Sequence, residues 1–388
     1  MNSQNVSRRT LLKSTGAVVT GMALLSQHWG ASSAQAQAGE EVLPWIDQPL
    51  ENPVPQILDS PLVWEDVDSW YTPNDQFFSV AHYNRPEIDV ADWTLEISGL
   101  VGNPMSLTMD DIKAWPHQEL DFTLECSGNH GLPFLWGGIG NARWGGVSLA
   151  AILEEADILD EGREVVFWGA DAGEETLWEQ TVTQNFARSM SVEDAMSPYN
   201  LLTYEMNGET LPTNNGFPLR LIAPGWYGVA NVKWLTRIEV RSTRLMNRYM
   251  ARDYVTLRSE EVNGETVWTE SSVGRARLKS APARVVSTGD GYRIEGAAWG
   301  APIRSVEVKI DDGEWQEATL DTENRSRFSW RFWSLDWADV EPGEHTITSR
   351  ATSTRGDVQP APDAPELANK ITYWEAYGQI TRSVEIPA

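Results

Sequence analysis

Residues 120–129 read Leu120-Asp121-Phe122-Thr123-Leu124-Glu125-Cys126-Ser127-Gly128-Asn129. The first six alternate apolar and polar side chains with a period of two, the pattern of a half-buried strand. That strand runs straight into Cys126, and Ser127-Gly128-Asn129 carries turn chemistry. A thiol is therefore presented where the backbone reverses. It is the only cysteine in 388 residues, so the chain has no intrachain disulfide, no Cys-x-x-Cys-His haem attachment and no all-cysteine metal site. A lone cysteine reads either as a small buried hydrophobe or as a reactive or ligating thiol. A nucleophilic role needs a base, for which His82, His117, His130 and His345 are the candidates, and their spacing shows no oriented triad. Gly128 and the glycines of 137–146 allow close backbone approach.

Working outward, Thr94–Leu100 alternates like a strand and ends in a turn at Gly102-Asn103-Pro104. Thr108 is placed to cap a short helix over 109–112, and Ser148–Ala156 reads as a second. Strands are expected at Glu164–Trp168, Leu201–Glu205, Leu219–Ala223 and Val232–Val240. Helices are few and brief, so residues 71–245 read as a strand-rich α+β domain. Residues 39–70, rich in proline and acid, read as an extended arm lying over it, and residues 246–274 as a polar connection. Beyond it, Tyr292–Trp299, Ser305–Ile310 and His345–Ala351 alternate at period two between Asp312-Gly313 and Pro342-Gly343 turns. This spacing makes 275–388 an immunoglobulin-like β-sandwich without its disulfide.

Hydrophobic residues are 41% of the chain and tryptophans number 19, which excludes a disordered polymer. The 56 acidic and 30 basic residues leave a net charge of −26, which repels nucleic acid and anionic lipid. Only six of the basic residues are lysines. A Lys-poor acidic surface suits a high-salt habitat or a basic partner. Residues 1–38 read as a twin-arginine export signal: Arg8-Arg9, a weakly apolar stretch from Ala17 to Leu25, and Ala36-Gln37-Ala38 as cleavage site. That apolar stretch is too short to span a bilayer, for which about 20 residues are needed, and no later one is long enough. Such cargo folds before export, often around a cofactor.

Leu124-Glu125-Cys126-Ser127-Gly128-Asn129 and Gly140-Asn141-Ala142-Arg143-Trp144-Gly145-Gly146 together resemble the molybdenum-centre segment of the sulfite oxidase family, in an exported bacterial branch. Tyr204-Glu205-Met206-Asn207-Gly208, Gly216-Phe217-Pro218-Leu219-Arg220 and Val232-Lys233-Trp234-Leu235 continue the resemblance, which covers about residues 75–255. Glu295-Gly296-Ala297-Ala298-Trp299 is similar to that family's dimerisation domain. The resemblance implies molybdenum held by a molybdopterin dithiolene and by Cys126, which explains why one cysteine suffices. It implies that Arg220 and Lys233 bind the pterin phosphate, that His82, Asp171 and Asn215 contact the pterin, and that Tyr254 is the active-site tyrosine. It further implies a homodimer, with no haem in this chain.

The chain departs from that pattern where sulfite is held. Val80 stands where the family places an arginine, and His130-Gly131 replaces Arg-Arg. Asn215 stands where vertebrate-like members carry histidine. Arg143, Arg188 and Arg252 are available substitutes. The reading is a molybdenum-pterin oxidoreductase oxidising sulfite or a related sulfur anion, with electrons leaving to an external acceptor such as a c-type cytochrome. A sulfane dehydrogenase-like enzyme on protein-bound sulfur, an S- or N-oxide reductase, and a cofactor-free binding protein on the same fold are the alternatives.

Overall fold

The computed structural model describes residues 40–388, and the expected export signal lies outside the described residues. The first domain holds two five-stranded sheets, with strands numbered along the chain. One runs β5 (Met105–Leu107), β4 (Leu95–Gly99), β13 (Leu235–Arg241), β8 (Glu164–Leu177), β9 (Gln180–Ser191). Its β4–β13 pair is parallel. The other runs β11 (Glu209–Thr210), β10 (Leu201–Met206), β7 (Ile139–Ser148), β6 (His117–Glu125), with β12 (Arg220–Ile222) also on β10. Leu95, Ile97, Phe167 and Ile238 of the first sheet share one buried core with Val147, Leu202 and Leu221 of the second.

Helices are short, as expected. They are α1 (Met109–Lys113), α2 (Leu149–Glu155), α3 (Val192–Ala195), α4 (Arg248–Ala251) and α5 (Pro365–Ala368). Thr108 caps α1 reciprocally: its side chain accepts from the Asp111 N–H, and the Asp111 carboxylate accepts from the Thr108 N–H. Among the described residues no helix is long and apolar enough to cross a membrane.

The C-terminal domain is a β-sandwich. Its five-stranded sheet is β1 (Glu41–Leu43), β16 (Lys279–Thr288), β17 (Gly291–Trp299), β21 (Arg331–Trp337), β20 (Thr319–Leu320). Its four-stranded sheet is β19 (Gln316–Glu317), β18 (Ile303–Ile310), β22 (Gly343–Ser353), β23 (Ile380–Ile386). Val285, Ile294 and Trp333 meet Val306, Ile347 and Val384 in its core.

Three details differ from the sequence expectations. The arm does not lie over the first domain alone: β1 pairs with β16 of the sandwich and Trp45 is buried in its core. Only further on does the arm reach the first domain, where β2 (Leu58–Asp59) pairs with β3 (Ser79–Val80). The 246–274 stretch is not a mere connection. It forms α4 and a hairpin, β14 (Val255–Val262) with β15 (Glu265–Ser272), whose base is partly buried at Thr256 and whose tip, residues 260–271, is exposed. The strand expected from Val232 starts at Leu235, because Trp234 has φ 48° and its carbonyl accepts from the Ala170 N–H across a break in the ladder. Lys233 therefore sits on a loop.

Candidate functional site

Cys126 follows the last residue of β6, and its backbone is held from both sides. Its N–H donates to the Gly138 carbonyl (2.7 Å), and its carbonyl accepts from the Asn129 N–H (3.0 Å). Of the glycines expected to allow close approach, Gly128 is not needed for it and Gly138, in the 137–146 stretch, is. A Cβ on Gly128 would meet only ordinary contacts at 3.5 Å, whereas one on Gly138 would lie 3.2 Å from the Cys126 Cβ.

Cys126 lines a cavity that, counted together with the open solvent at its mouth, holds about 560 Å³. Its lining brings together all seven residues singled out above: His82, Cys126, Asp171, Asn215, Arg220, Lys233 and Tyr254. They come from β8, β12 and five loops, over more than 170 positions of sequence.

Along one wall, Arg220 is buried over the Trp144 ring (4.9 Å) and donates to the carbonyls of Asn215 (2.8 Å) and Asn231 (3.1 Å). Its Nε has no partner, and burial pulls its pKa down to about 9. Lys233 donates to the Val80 carbonyl (2.7 Å) and the Ser79 hydroxyl (3.1 Å). Burial first, then repulsion from Arg220, holds its pKa well below the usual lysine value. Among the described residues the buried Asp171 Oδ1 has no hydrogen-bond partner, and burial, against the attraction of Lys233, pushes its carboxyl up to about 6. Among the described residues neither Arg220 nor Lys233 is in ion-pair contact with a carboxylate. Two desolvated cations hydrogen-bonded to neutral oxygens, beside an acceptor without a donor, form a site suited to an anion. A pterin phosphate supplies that anion and the pterin ring N–H groups supply donors for Asp171, so the residues present fit the group.

Elsewhere in the lining, Tyr254 OH and His82 Nε2 are 2.6 Å apart. The His82 ring stacks on Phe186 (4.5 Å), and burial with nearby cations pulls its pKa down to about 3. Burial pushes Tyr254 well above the usual phenol. The pair is thus neutral at physiological pH, a hydrogen-bonding rather than a charged surface. Asn215 contributes its backbone carbonyl, through Arg220, on a short 3-10 turn.

Of the substitute arginines, only Arg188 lies near the Tyr254–His82 pair. Arg143 faces away, bonded to Asp121 (3.1 Å) and Tyr71. Arg252 does not line the cavity. Arg188 is buried near His82 and Tyr254; its Nη atoms donate to the carbonyls of Tyr249 and Val273, and among the described residues its Nε has no hydrogen-bond partner. His130 packs toward Trp136 and Trp299, and burial with Lys279 and Arg382 nearby keeps it neutral. Sequence reasoning missed Asn231, Arg85 and Trp374. Arg85 donates to the same Ser79 hydroxyl as Lys233 (2.9 Å), and Trp374, near the far end of the chain, stacks on Tyr254 (4.1 Å). No local motif marks any of them.

Comparison with known proteins agrees with this geometry. The model of the oxidoreductase molybdopterin-binding domain matches residues 82–249, and that of the Mo-co oxidoreductase dimerisation domain matches 268–377. The chain is 32% identical to mitochondrial sulfite oxidase of Mus musculus over 83% of this chain and 64% of that protein. It is 32% identical to sulfite oxidase of Gallus gallus over 77% of this chain and 70% of that one. It thus spans about 64% of the length of the mouse relative. The sulfane dehydrogenase SoxCD of Paracoccus pantotrophus shares the fold, with TM-score 0.71 and 24% identity over 90% of each chain. With its single thiol, its two cations and both domain matches in one chain order, this protein belongs to the sulfite oxidase family of molybdopterin oxidoreductases.

Proposed function

We propose that this protein is a molybdenum-pterin oxidoreductase that oxidises sulfite or a related sulfur compound and passes the electrons to an external acceptor, such as a c-type cytochrome. The observation that carries the reading is the pair of buried cations, Arg220 and Lys233, neither in ion-pair contact with a carboxylate among the described residues, in the cavity lined by the only thiol. Bound there, the molybdenum-pterin group supplies two-electron oxygen-atom transfer chemistry.

This chain's own residues do the rest. Arg220 and Lys233 grip the phosphate, and Asp171 accepts from the pterin ring. Cys126, whose pKa burial pushes up to about 11, keeps its proton until a metal cation lies beside the sulfur. Tyr254, oriented by His82 and backed by Trp374, offers a hydroxyl toward an oxygen of the reacting group. The neutral state of that pair keeps it a donor across the physiological pH range.

A second reading, a sulfane dehydrogenase-like enzyme acting on a protein-bound sulfur, is favoured by Val80, whose apolar side chain lines the cavity where the family places arginine. A small dianion finds less fixed positive charge here than a sulfite pocket needs. Export through the twin-arginine route and a homodimer joined by the C-terminal sandwich complete the proposal.

The test is metal and pterin analysis of protein purified from a molybdenum-replete host, followed by dye reduction with free sulfite. Stoichiometric molybdenum, abolished by Cys126→Ser in folded protein, and sulfite-dependent reduction support the first reading. Molybdenum without a response to sulfite, but with activity on a protein-bound persulfide, supports the second. Folded protein free of molybdenum and pterin refutes both and favours a binding protein.

A further inference from the structure

Against the turn that carries Cys126, and not among the residues that line the cavity, lies a buried charge pair. Lys279, the first residue of β16 in the C-terminal sandwich, places its Nζ 2.6 Å from Glu125 Oε1, and each side chain is only 1% exposed. Glu125 immediately precedes Cys126. The same ammonium donates to the Asn129 carbonyl (3.1 Å), and Asn129 Nδ2 donates to Glu125 Oε1 (3.0 Å). Asn129 Oδ1 accepts from the Gly138 N–H (3.0 Å), and Gly138 is the residue whose carbonyl receives the Cys126 N–H. One lysine from the second domain thus closes the whole turn, 126–129, that carries the thiol.

The two charges act on the sulfur in opposite senses. Glu125, one residue before the thiol, brings negative charge to the turn and Lys279 brings the positive charge that offsets it. Both sit where water does not screen them. Charges and hydrogen bonds around a ligating sulfur tune how strongly it donates to a metal.

We propose that Lys279 is a positioning residue of the metal-ligand turn: delivered by the C-terminal domain, it fixes the Cys126 sulfur through Glu125 and Asn129, and its balance with Glu125 sets the midpoint potential of the metal held there. The proposal rests on the cofactor reading above. It makes the sandwich domain a working part of the redox site, independent of any dimer.

The experiment is an EPR-monitored potentiometric titration of molybdenum-loaded protein, with metal content measured first in every sample. Lys279→Met leaves an unpaired anion next to the ligand and is expected to lower the midpoint potential. Glu125→Gln leaves the cation alone and is expected to raise it. The double variant, Glu125→Gln with Lys279→Gln, is expected to fall between the two. Glu125→Gln keeps an oxygen for the lysine to bond, so it decides the matter if Lys279→Met does not fold. Loaded variants with the wild-type potential, or shifted in the same direction, overturn the proposal while leaving the cofactor reading intact. Wild-type protein without molybdenum overturns the cofactor reading and this proposal together.

Discussion

Arg220→Met should cost cofactor affinity without costing the stability of the ligand-free protein. Burial pulls Arg220 well down from the usual guanidinium range to about 9, which corresponds to roughly 5 kcal/mol held against the charged group in the ligand-free protein. Its bonds to the Asn215 and Asn231 carbonyls return about 1.5–3 kcal/mol each. The two contributions nearly cancel, so ligand-free Arg220→Met is expected within about 2 kcal/mol of the parent. With phosphate present, a guanidinium making two charge-assisted bonds contributes roughly 3–6 kcal/mol, or about 10²–10⁴ in affinity. The assay has two arms. Denaturant unfolding of protein from a pterin-deficient host measures the first quantity, and the molybdenum-to-protein ratio after prolonged dialysis measures the second. A variant that retains molybdenum and pterin like the parent refutes the assignment of Arg220 to the phosphate. A ligand-free variant that no longer folds refutes the idea that the cation is stored there for a ligand.

Three further outcomes are expected. Gly138→Ala pushes a methyl to 3.2 Å from the Cys126 Cβ and 2.9 Å from Leu135; the overpacking should cost about 1–3 kcal/mol and lower molybdenum content, and unchanged metal loading would show that the turn has slack. His82 is held neutral to about pH 3 against an ordinary 6.5, so the unfolded chain binds the extra proton between those values and stability falls as pH drops from 6.5 toward 3. His82→Gln should make that decline shallower, measured by urea unfolding at a series of pH values; parallel profiles would place the His82 pKa near its ordinary value. The net charge of −26 should steer a basic cytochrome, so turnover with such an acceptor should fall as salt rises, and a rate indifferent to ionic strength removes the steering argument.

What the sequence determined by itself was short in range. The alternation in 120–125 is enough to make β6 and to deliver Cys126 to a turn, and Thr108 with Asp111 is enough to start α1. Both depend on neighbours within a few residues, where periodicity and capping act. The family resemblance extended that reading to seven site residues, and the fold gathers all of them on one cavity. The remainder was decided by long-range packing. Nothing local distinguishes Lys279 from any other strand-end lysine, or Trp374 from the other tryptophans, until the sandwich docks and brings one to Glu125 and the other to Tyr254. The pairing of β1 with β16 and the departure of Trp234 from its ladder have the same origin. Burial energy is earned between segments hundreds of residues apart, and a single strand's pattern says which face is apolar but not which partner will cover it.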